Sequence, residues 1–178
     1  MIERAQRLHA SHWQGVVYLT GGGSPLLSDL LAIPGASNTV LEAAVPYAAQ
    51  ALSELLGHAP EQAASAQTGR GLSMRAYQRA RDLGAKQAFG IGLSASLSSN
   101  EQKKGQTRAH WAIQTESKSA SFSLYLDKAD PRADQEQRLN EAIWATIELN
   151  LLDNNQHPAR SSFHTSEYAA SASWQPLL

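Results

Sequence analysis

Short apolar runs alternate with amphipathic segments through the first half of the chain. Residues 16–19 are apolar and include Val and Tyr, as expected of a strand covered on both faces. Three glycines at 21–23 follow, and then Ser24-Pro25 precedes leucines that share one helical face. Serine is a common N-cap, and proline is a common first helical residue. The pattern predicts a buried strand, a tight glycine turn and a helix capped by Ser24.

Turn signals divide the next stretch into further elements. Gly57 is placed to end a helix, and Ser65 or Thr68 is placed to begin the following one. Gly69 and Gly71 weaken the start of that helix, but they would let its backbone approach a neighbouring element or a ligand. The predicted elements are helices at 2–12, 48–56 and 65–83 and strands at 39–45 and 87–97.

Alternation of apolar and polar residues marks two later strands, at 108–114 and 120–126. This period of two predicts strands with one buried face each, joined as an antiparallel hairpin. Asp130-Pro131 then opens a helix that is predicted to reach about residue 152. Its apolar stripe, at four-residue steps, consists of Leu139, Ile143, Ile147 and Leu151.

Taken in order, these elements predict an α/β fold with three layers, α/β/α. The sheet is expected to be mixed and mostly parallel, with a C-terminal antiparallel hairpin followed by a helix. Residues 1–153 are predicted to form a single domain, and 154–178 a polar tail that is partly disordered or docked. Trp174 and the terminal leucines are the residues of the tail that could dock.

The composition narrows the class of protein. A chain of 178 residues with 42% hydrophobic residues can build one ordinary core. The formal net charge of −1 does not favour nucleic acid as a partner. The sequence contains no cysteine and no apolar run long enough to cross a membrane, and its first eight residues are unlike a signal peptide. A cytoplasmic protein is therefore expected.

The glycine turn at 21–23 is the first candidate for chemistry. The N-terminus of a helix presents free N–H groups and a partial positive charge, which suit a phosphate or a carboxylate. The turn is not a Walker A loop, because no Gly-Lys-Ser/Thr follows, and its consecutive glycines do not match the dinucleotide fingerprint. A sharp strand-to-helix turn without any ligand is the alternative interpretation.

Two other patterns are weaker. Gly90-Ile91-Gly92 begins a segment that matches the spacing of a dinucleotide-binding loop, but a polar loop follows where a helix should start. His9 and His12 could share a helix face, yet no third ligand stands nearby in the sequence. No metal and no cofactor are therefore expected.

An ordered set of short motifs resembles the CinA C-terminal domain family over roughly residues 13–152. The set consists of Thr20-Gly21-Gly22, Pro34-Gly35-Ala36-Ser37, Val45-Pro46-Tyr47, Leu55-Leu56-Gly57, Gly90-Ile91-Gly92 and Lys103-Lys104-Gly105. The best-known members of that family are nicotinamide-nucleotide amidohydrolases, which convert nicotinamide mononucleotide to nicotinic acid mononucleotide and ammonia. The resemblance also implies self-association, since related domains commonly form dimers.

This chain departs from the family pattern at its catalytic positions. The family motif Glu-Ser-Cys-Thr-Gly-Gly carries the nucleophilic serine, and Tyr18 stands at that position here. Tyr47 matches the tyrosine of the family segment Tyr-Ser-Asn-Glu-Ala-Lys, but the lysine position is Leu52. A serine hydroxyl needs a neighbouring base to attack at neutral pH. The sequence therefore predicts a divergent branch without the serine–lysine amidase group.

The resemblance implies that a binding frame persists for a small phosphorylated ligand such as a pyridine nucleotide. The candidate phosphate-binding residues are Thr20, Gly21, Gly22, Gly23, Ser24, Lys103, Lys104 and Arg132. Ser24 and Tyr47 are candidates for any remaining catalysis. Two alternatives stay open, a divergent nicotinamide-nucleotide hydrolase with another nucleophile and a structural domain whose main property is self-association.

Overall fold

The computed structural model describes residues 1–99, 105–153 and 164–169. The five α-helices in these ranges are α1 Ile2–His9, α2 Ser24–Leu31, α3 Ala49–Leu56, α4 Ala66–Asp82 and α5 Arg132–Ile147. A short 3₁₀ turn covers Ala36–Asn38, and a π-helical turn, Glu148–Leu152, continues α5. The strands are β1 Gln14–Thr20, β2 Val40–Ala44, β3 Ala88–Ser96, β4 Arg108–Gln114, β5 Lys118–Tyr125 and β6 His164–Ala169.

The strands form one six-stranded sheet in the order β2-β1-β3-β4-β5-β6. β2 and β3 flank β1 and run parallel to it, whereas the ladders from β3 to β6 are antiparallel. Four of the six strands, β2, β1, β3 and β5, thus point the same way, although three of the five ladders are antiparallel. The predicted mixed α/β sheet and its C-terminal hairpin are confirmed.

Helices cover both faces of the sheet. Because side chains alternate along β1, Val17 and Leu19 face one layer and Val16 and Tyr18 the other. The first layer contains α1, α2 and α5, and the predicted stripe of α5 is buried there. The second layer contains α3 and α4, whose leucines and alanines pack on Val16 and Tyr18. This is the predicted three-layer α/β/α arrangement.

Helix α4 lies unusually close to the middle of the sheet. A Cβ atom at Gly90 or Gly92 of β3 would overlap the backbone of α4, and one at Gly69 of α4 would lie 2.9 Å from the carbonyl oxygen of His110. Close packing of a helix on a strand therefore accounts for the Gly90-Ile91-Gly92 pattern. It also confirms the predicted close approach at Gly69.

Two local predictions were wrong. Strand β4 is buried on both faces, including His110 and Gln114, because α4 covers the face that alternation marked as exposed. Helix α2 takes Gly23 as its N-cap, at a φ of 86°, and Ser24 is its first helical residue. A left-handed backbone at the cap favours glycine over serine.

The predicted tail is only partly described. Residues His164–Ala169 add β6 to the free edge of β5, and the rest of the tail lies outside the described residues. None of the helices in the described ranges combines the length and the apolar character that crossing a membrane requires.

Candidate functional site at the carboxyl edge of the sheet

The glycine turn lies where β1 ends, packed against the end of β3. Gly21 has a φ of 78° and Gly23 a φ of 86°, so both adopt the left-handed conformation that favours glycine. A Cβ atom at Gly21 would overlap the carbonyl oxygen of Ala95, and one at Gly23 would overlap the side chain of Leu93. The turn therefore needs its glycines for its own backbone and for packing, whether or not a ligand binds.

The anion at the start of α2 belongs to the chain itself. The backbone N–H of Gly23 donates a hydrogen bond of 2.7 Å to Oε2 of Glu136. Nη2 of Arg132 donates to the carbonyl of Gly21 at 3.0 Å and to Oε1 of Glu136 at 3.3 Å. Nη1 of Arg132 donates to the carbonyl of Ser98 at 3.1 Å. The helix start attracts a carboxylate, as its charge predicts, and α5 supplies that carboxylate.

Sequence reasoning missed Glu136. Arg132, which it named as a candidate phosphate-binding residue, lies beside the turn and donates to the carbonyl of Gly21. The two residues are one helical turn apart on α5, a spacing that favours an ion pair. Only the packing of α5 on α2 brings that pair to Gly23, which is 113 residues away from Glu136 in the sequence.

The other predicted residues divide into three groups. Thr20 is buried and pairs with Ser94 of β3 in the sheet. Ser24 is exposed, and its hydroxyl makes no hydrogen bond to any residue in the described ranges. Lys103 and Lys104 lie outside the described residues.

The position that the resemblance gives to the serine nucleophile is occupied by a hydrogen-bonded phenol. Tyr18 donates a hydrogen bond of 2.7 Å to Oε1 of Glu42. Nε of Arg79 donates to Oε2 of Glu42 at 2.9 Å, which completes an ion pair. Burial, followed by the hydrogen bond to Glu42, raises the pKa of Tyr18 well above its ordinary value. The hydrogen bond from Arg79 lowers the pKa of Glu42.

The lysine position of the resemblance lies in the same apolar layer. Leu52 is 2% exposed and belongs to the cluster that also contains Tyr18. Tyr47, which matches the family tyrosine, is 68% exposed. The three positions therefore carry a buried phenol, a buried leucine and a surface tyrosine.

A polar groove of about 300 Å³ lies between the start of α4 and the strands β4 and β5. Sequence reasoning missed this groove, because it treated 108–114 only as a strand with one polar face. The side chains that line it include Gln62, Ser65, Gln106, Arg108, His110 and Tyr125. None of the described residues that line it is acidic.

His110 is the most buried of the polar side chains in the groove, with 7% of its surface exposed. Its Nδ1 lies 2.7 Å from the hydroxyl oxygen of Ser123, and its ring meets the ring of Tyr125 edge-on at 6.1 Å. Burial, and secondarily the charge of Arg108, lowers the pKa of His110. The imidazole is therefore neutral at pH 7 and can either donate or accept a hydrogen bond.

A larger hollow, of about 580 Å³, lies at the opposite edge of the sheet. It is lined by Ser11, His12, Gln14, Ser37, Asn38, Lys86 and Gln87. Most of these side chains are exposed, and the hollow is far in the fold from the glycine turn. Volume alone therefore does not make it the better site. Across the part of the chain that is described, no three His, Asp or Glu side chains cluster closely enough to hold a metal ion.

The fold is similar to that of solved proteins described as CinA superfamily proteins. A competence or damage-inducible protein from Enterobacter asburiae superposes with a TM-score of 0.68 at 16% identity, over 82% of this chain and 92% of that one. CihA from Agrobacterium tumefaciens gives 0.66 at 19% identity, over 83% and 93%. The competence damage-inducible protein A (ComA) from Klebsiella pneumoniae gives 0.63 at 18% identity, over 86% and 98%.

Sequence comparison adds nothing to this structural likeness, since no family model and no curated protein matches the chain. The resemblance that the short motifs predicted is confirmed at the level of the fold. At such identities the likeness carries no residue roles, so the chemistry has to be argued from the side chains of this chain.

Proposed function

We propose that this protein is a CinA-like domain that binds a small phosphorylated ligand of the nucleotide class and has no serine–lysine amidase chemistry. The observation that carries the proposal is the pair Tyr18 and Leu52, which occupies the nucleophile and lysine positions of the resemblance within one apolar layer. The groove at the start of α4, at the carboxyl edge of the sheet, supports the binding of a ligand, because it is lined by one cationic side chain, Arg108, and several neutral polar ones.

Tyr18 is poorly suited to replace the serine. Its hydroxyl already donates to Glu42, and its raised pKa keeps the phenol protonated at neutral pH. The side chain is also 3% exposed, so a substrate has almost no access to it. Leu52 brings no base. These features support a site that binds its ligand without catalysing a reaction.

The test is an ammonia-release assay with nicotinamide mononucleotide, run beside a thermal-shift titration with the same compound. We expect no ammonia above the protein-free blank and a saturable rise in melting temperature. A ligand at 100 times its Kd stabilises a native protein by about 2.7 kcal/mol. Steady ammonia release would refute the loss of amidase chemistry, and a flat titration would refute binding of this nucleotide.

A divergent hydrolase is the second candidate, and one contact favours it. The 2.7 Å distance between Ser123 Oγ and His110 Nδ1 is the geometry of a nucleophile beside its base. Ser24 lacks such a base, since its hydroxyl bonds to no described residue. If ammonia is released, loss of activity in Ser123→Ala with activity retained in Ser24→Ala would assign the nucleophile to β5.

A further inference from the structure

The start of α4 presents unused hydrogen-bond donors to the groove. The hydroxyl of Ser65 caps the helix by accepting from the N–H of Thr68 at 3.1 Å. The N–H groups of Ala66 and Gln67 have no partner within the helix, and they donate to no residue in the described ranges. Ala66 itself lines the groove. Two N–H groups at the positive end of a 17-residue helix are therefore open to an anion.

Arg108 adds a positive charge that is held in place beside the start of α4. Its Nε donates to the carbonyl of Ala64 at 3.1 Å, which anchors the guanidinium against the segment leading into α4. No acidic side chain in the described ranges pairs with it, and its two terminal nitrogens make no other hydrogen bond there. A fixed guanidinium with free terminal N–H groups matches the geometry of a phosphate.

His110 is the independent indication that a ligand completes this site. The ring is more than nine-tenths buried, and Nδ1 already contacts Ser123, which leaves Nε2 without a partner among the described residues. When the hydroxyl of Ser123 donates to Nδ1, the ring proton resides on Nε2, and Nε2 becomes a donor towards the groove.

The glycine turn already holds a carboxylate of the chain itself. The N–H of Gly23 is bound to Glu136, and Arg132 is bound to the same carboxylate and to two backbone carbonyls. A phosphate there would meet a negative charge at the place where it needs donors. Of the two helix starts at this edge, only that of α4 combines open N–H groups with an unpaired cation in the described ranges.

We propose that the groove at the start of α4 binds the phosphate monoester of a small ligand, through the N–H groups of Ala66 and Gln67, Arg108 and His110. Tyr125, 53% exposed beside His110, provides an aromatic wall for the ring that carries the phosphate. This inference rests on the proposed function and moves its phosphate site from the glycine turn to α4.

The first experiment compares binding of nicotinamide mononucleotide, by calorimetry, in the wild type and three variants. Arg108→Gln should weaken binding tenfold or more, and Arg108→Lys should recover part of the loss. Lys86→Gln is the matched control, because it removes a cation from the larger hollow at the opposite edge, and its affinity should equal that of the wild type. Nicotinamide riboside, which lacks the phosphate, should bind the wild type no better than the Arg108→Gln variant binds the nucleotide.

Arg132→Gln separates this inference from the proposed function. Binding that is lost in Arg132→Gln and intact in Arg108→Gln would overturn the α4 site and leave a ligand-binding domain with its phosphate at the glycine turn. Absence of binding to the wild type would overturn both proposals.

A second measurement needs no variant and so does not depend on whether Arg108→Gln folds. Titration of the wild type with inorganic phosphate, followed by amide NMR, should shift the resonances of Ala66 and Gln67. A shift confined to Gly23 and its neighbours, or no shift at either helix start, would contradict the site.

Discussion

The side chain of Glu42 holds two partners that differ in charge. It accepts one hydrogen bond from the phenol of Tyr18 and another from Nε of Arg79, and it forms an ion pair with Nη2 of Arg79. The ionised carboxylate satisfies both partners, whereas a protonated one would lose the ion pair with Arg79. This is why the pKa of Glu42 is lowered in the folded protein.

The lowered pKa of Glu42 predicts a stability that depends on acid pH. As the pH falls past the ordinary glutamate value of about 4.3, the unfolded chain binds a proton at this residue before the folded one does. The stabilisation by Glu42 is therefore complete above that pH and is lost as the pH falls through the lowered value. Melting curves from pH 7 to pH 3 should show the wild type losing its advantage over Glu42→Gln.

The control for this titration is Glu61→Gln, an exposed glutamate whose side chain bonds to no described residue. Its melting temperatures should follow those of the wild type across the whole range. Parallel curves for Glu42→Gln and the wild type would show that Glu42 contributes nothing dependent on its charge.

At the scale of elements, α4 organises the carboxyl edge of the sheet. It packs so closely on β3 that only glycine fits at 90 and 92, and its first turn forms one wall of the groove. Its start is fixed by Ser65, whose hydroxyl accepts from the N–H of Thr68 and lies 3.0 Å from the hydroxyl of Thr68. A helix placed so firmly can hold its free N–H groups at a fixed position.

Removal of the α4 cap should cost measurable stability. We expect Ser65→Ala to lower the free energy of unfolding by about 1 kcal/mol, the usual effect of losing a serine N-cap. Ser53→Ala is the control, because that hydroxyl bonds back to the carbonyl of Ala49 within α3, an arrangement that does not stabilise a helix. Equal unfolding midpoints in urea for both variants would show that the cap is not needed.

At the scale of the whole molecule, α5 connects the C-terminal half of the chain to the glycine turn at 21–23. Glu136 bonds to Gly23 and Arg132 to Gly21 and Ser98, so three segments distant in sequence meet at one point. A few residues further along α5, Asn140 and Trp144 both donate to the carboxylate of Asp29 in α2. These polar contacts fix the register of α5 on α2 beyond what apolar packing supplies.

Neutralising the carboxylate at the glycine turn should destabilise the fold. We expect Glu136→Gln to cost about 1–3 kcal/mol, since it weakens charge-assisted hydrogen bonds to Gly23 and Arg132 in a largely buried place. Urea unfolding would measure this loss of stability, with Glu141→Gln, exposed on the same helix, as the control.

The affinity for phosphate in Glu136→Gln should equal that of the wild type, because the proposed phosphate site is at α4. A tenfold gain in affinity would place an anion site at the glycine turn instead.

Local patterns in the sequence determined a large part of the fold. The strand, glycine turn and helix at 16–31 are confirmed, as are the hairpin at 108–125 and the buried stripe of α5. Each of these depends on contacts between near neighbours or on a simple period, which the chain carries in short windows. The ordered short motifs likewise indicated the CinA-like fold that the superpositions support.

Only the tertiary structure decided what surrounds the candidate residues. Alternation along 108–114 marked His110 as exposed, yet α4 buries it and turns it into part of a groove. The helix start at Gly23 predicted an anion, but nothing near it in the sequence indicated that Glu136, 113 residues away, supplies one. A local pattern predicts the element in which a residue lies and the type of surroundings that suits its side chain. The packing of the layers determines which distant residues contact it.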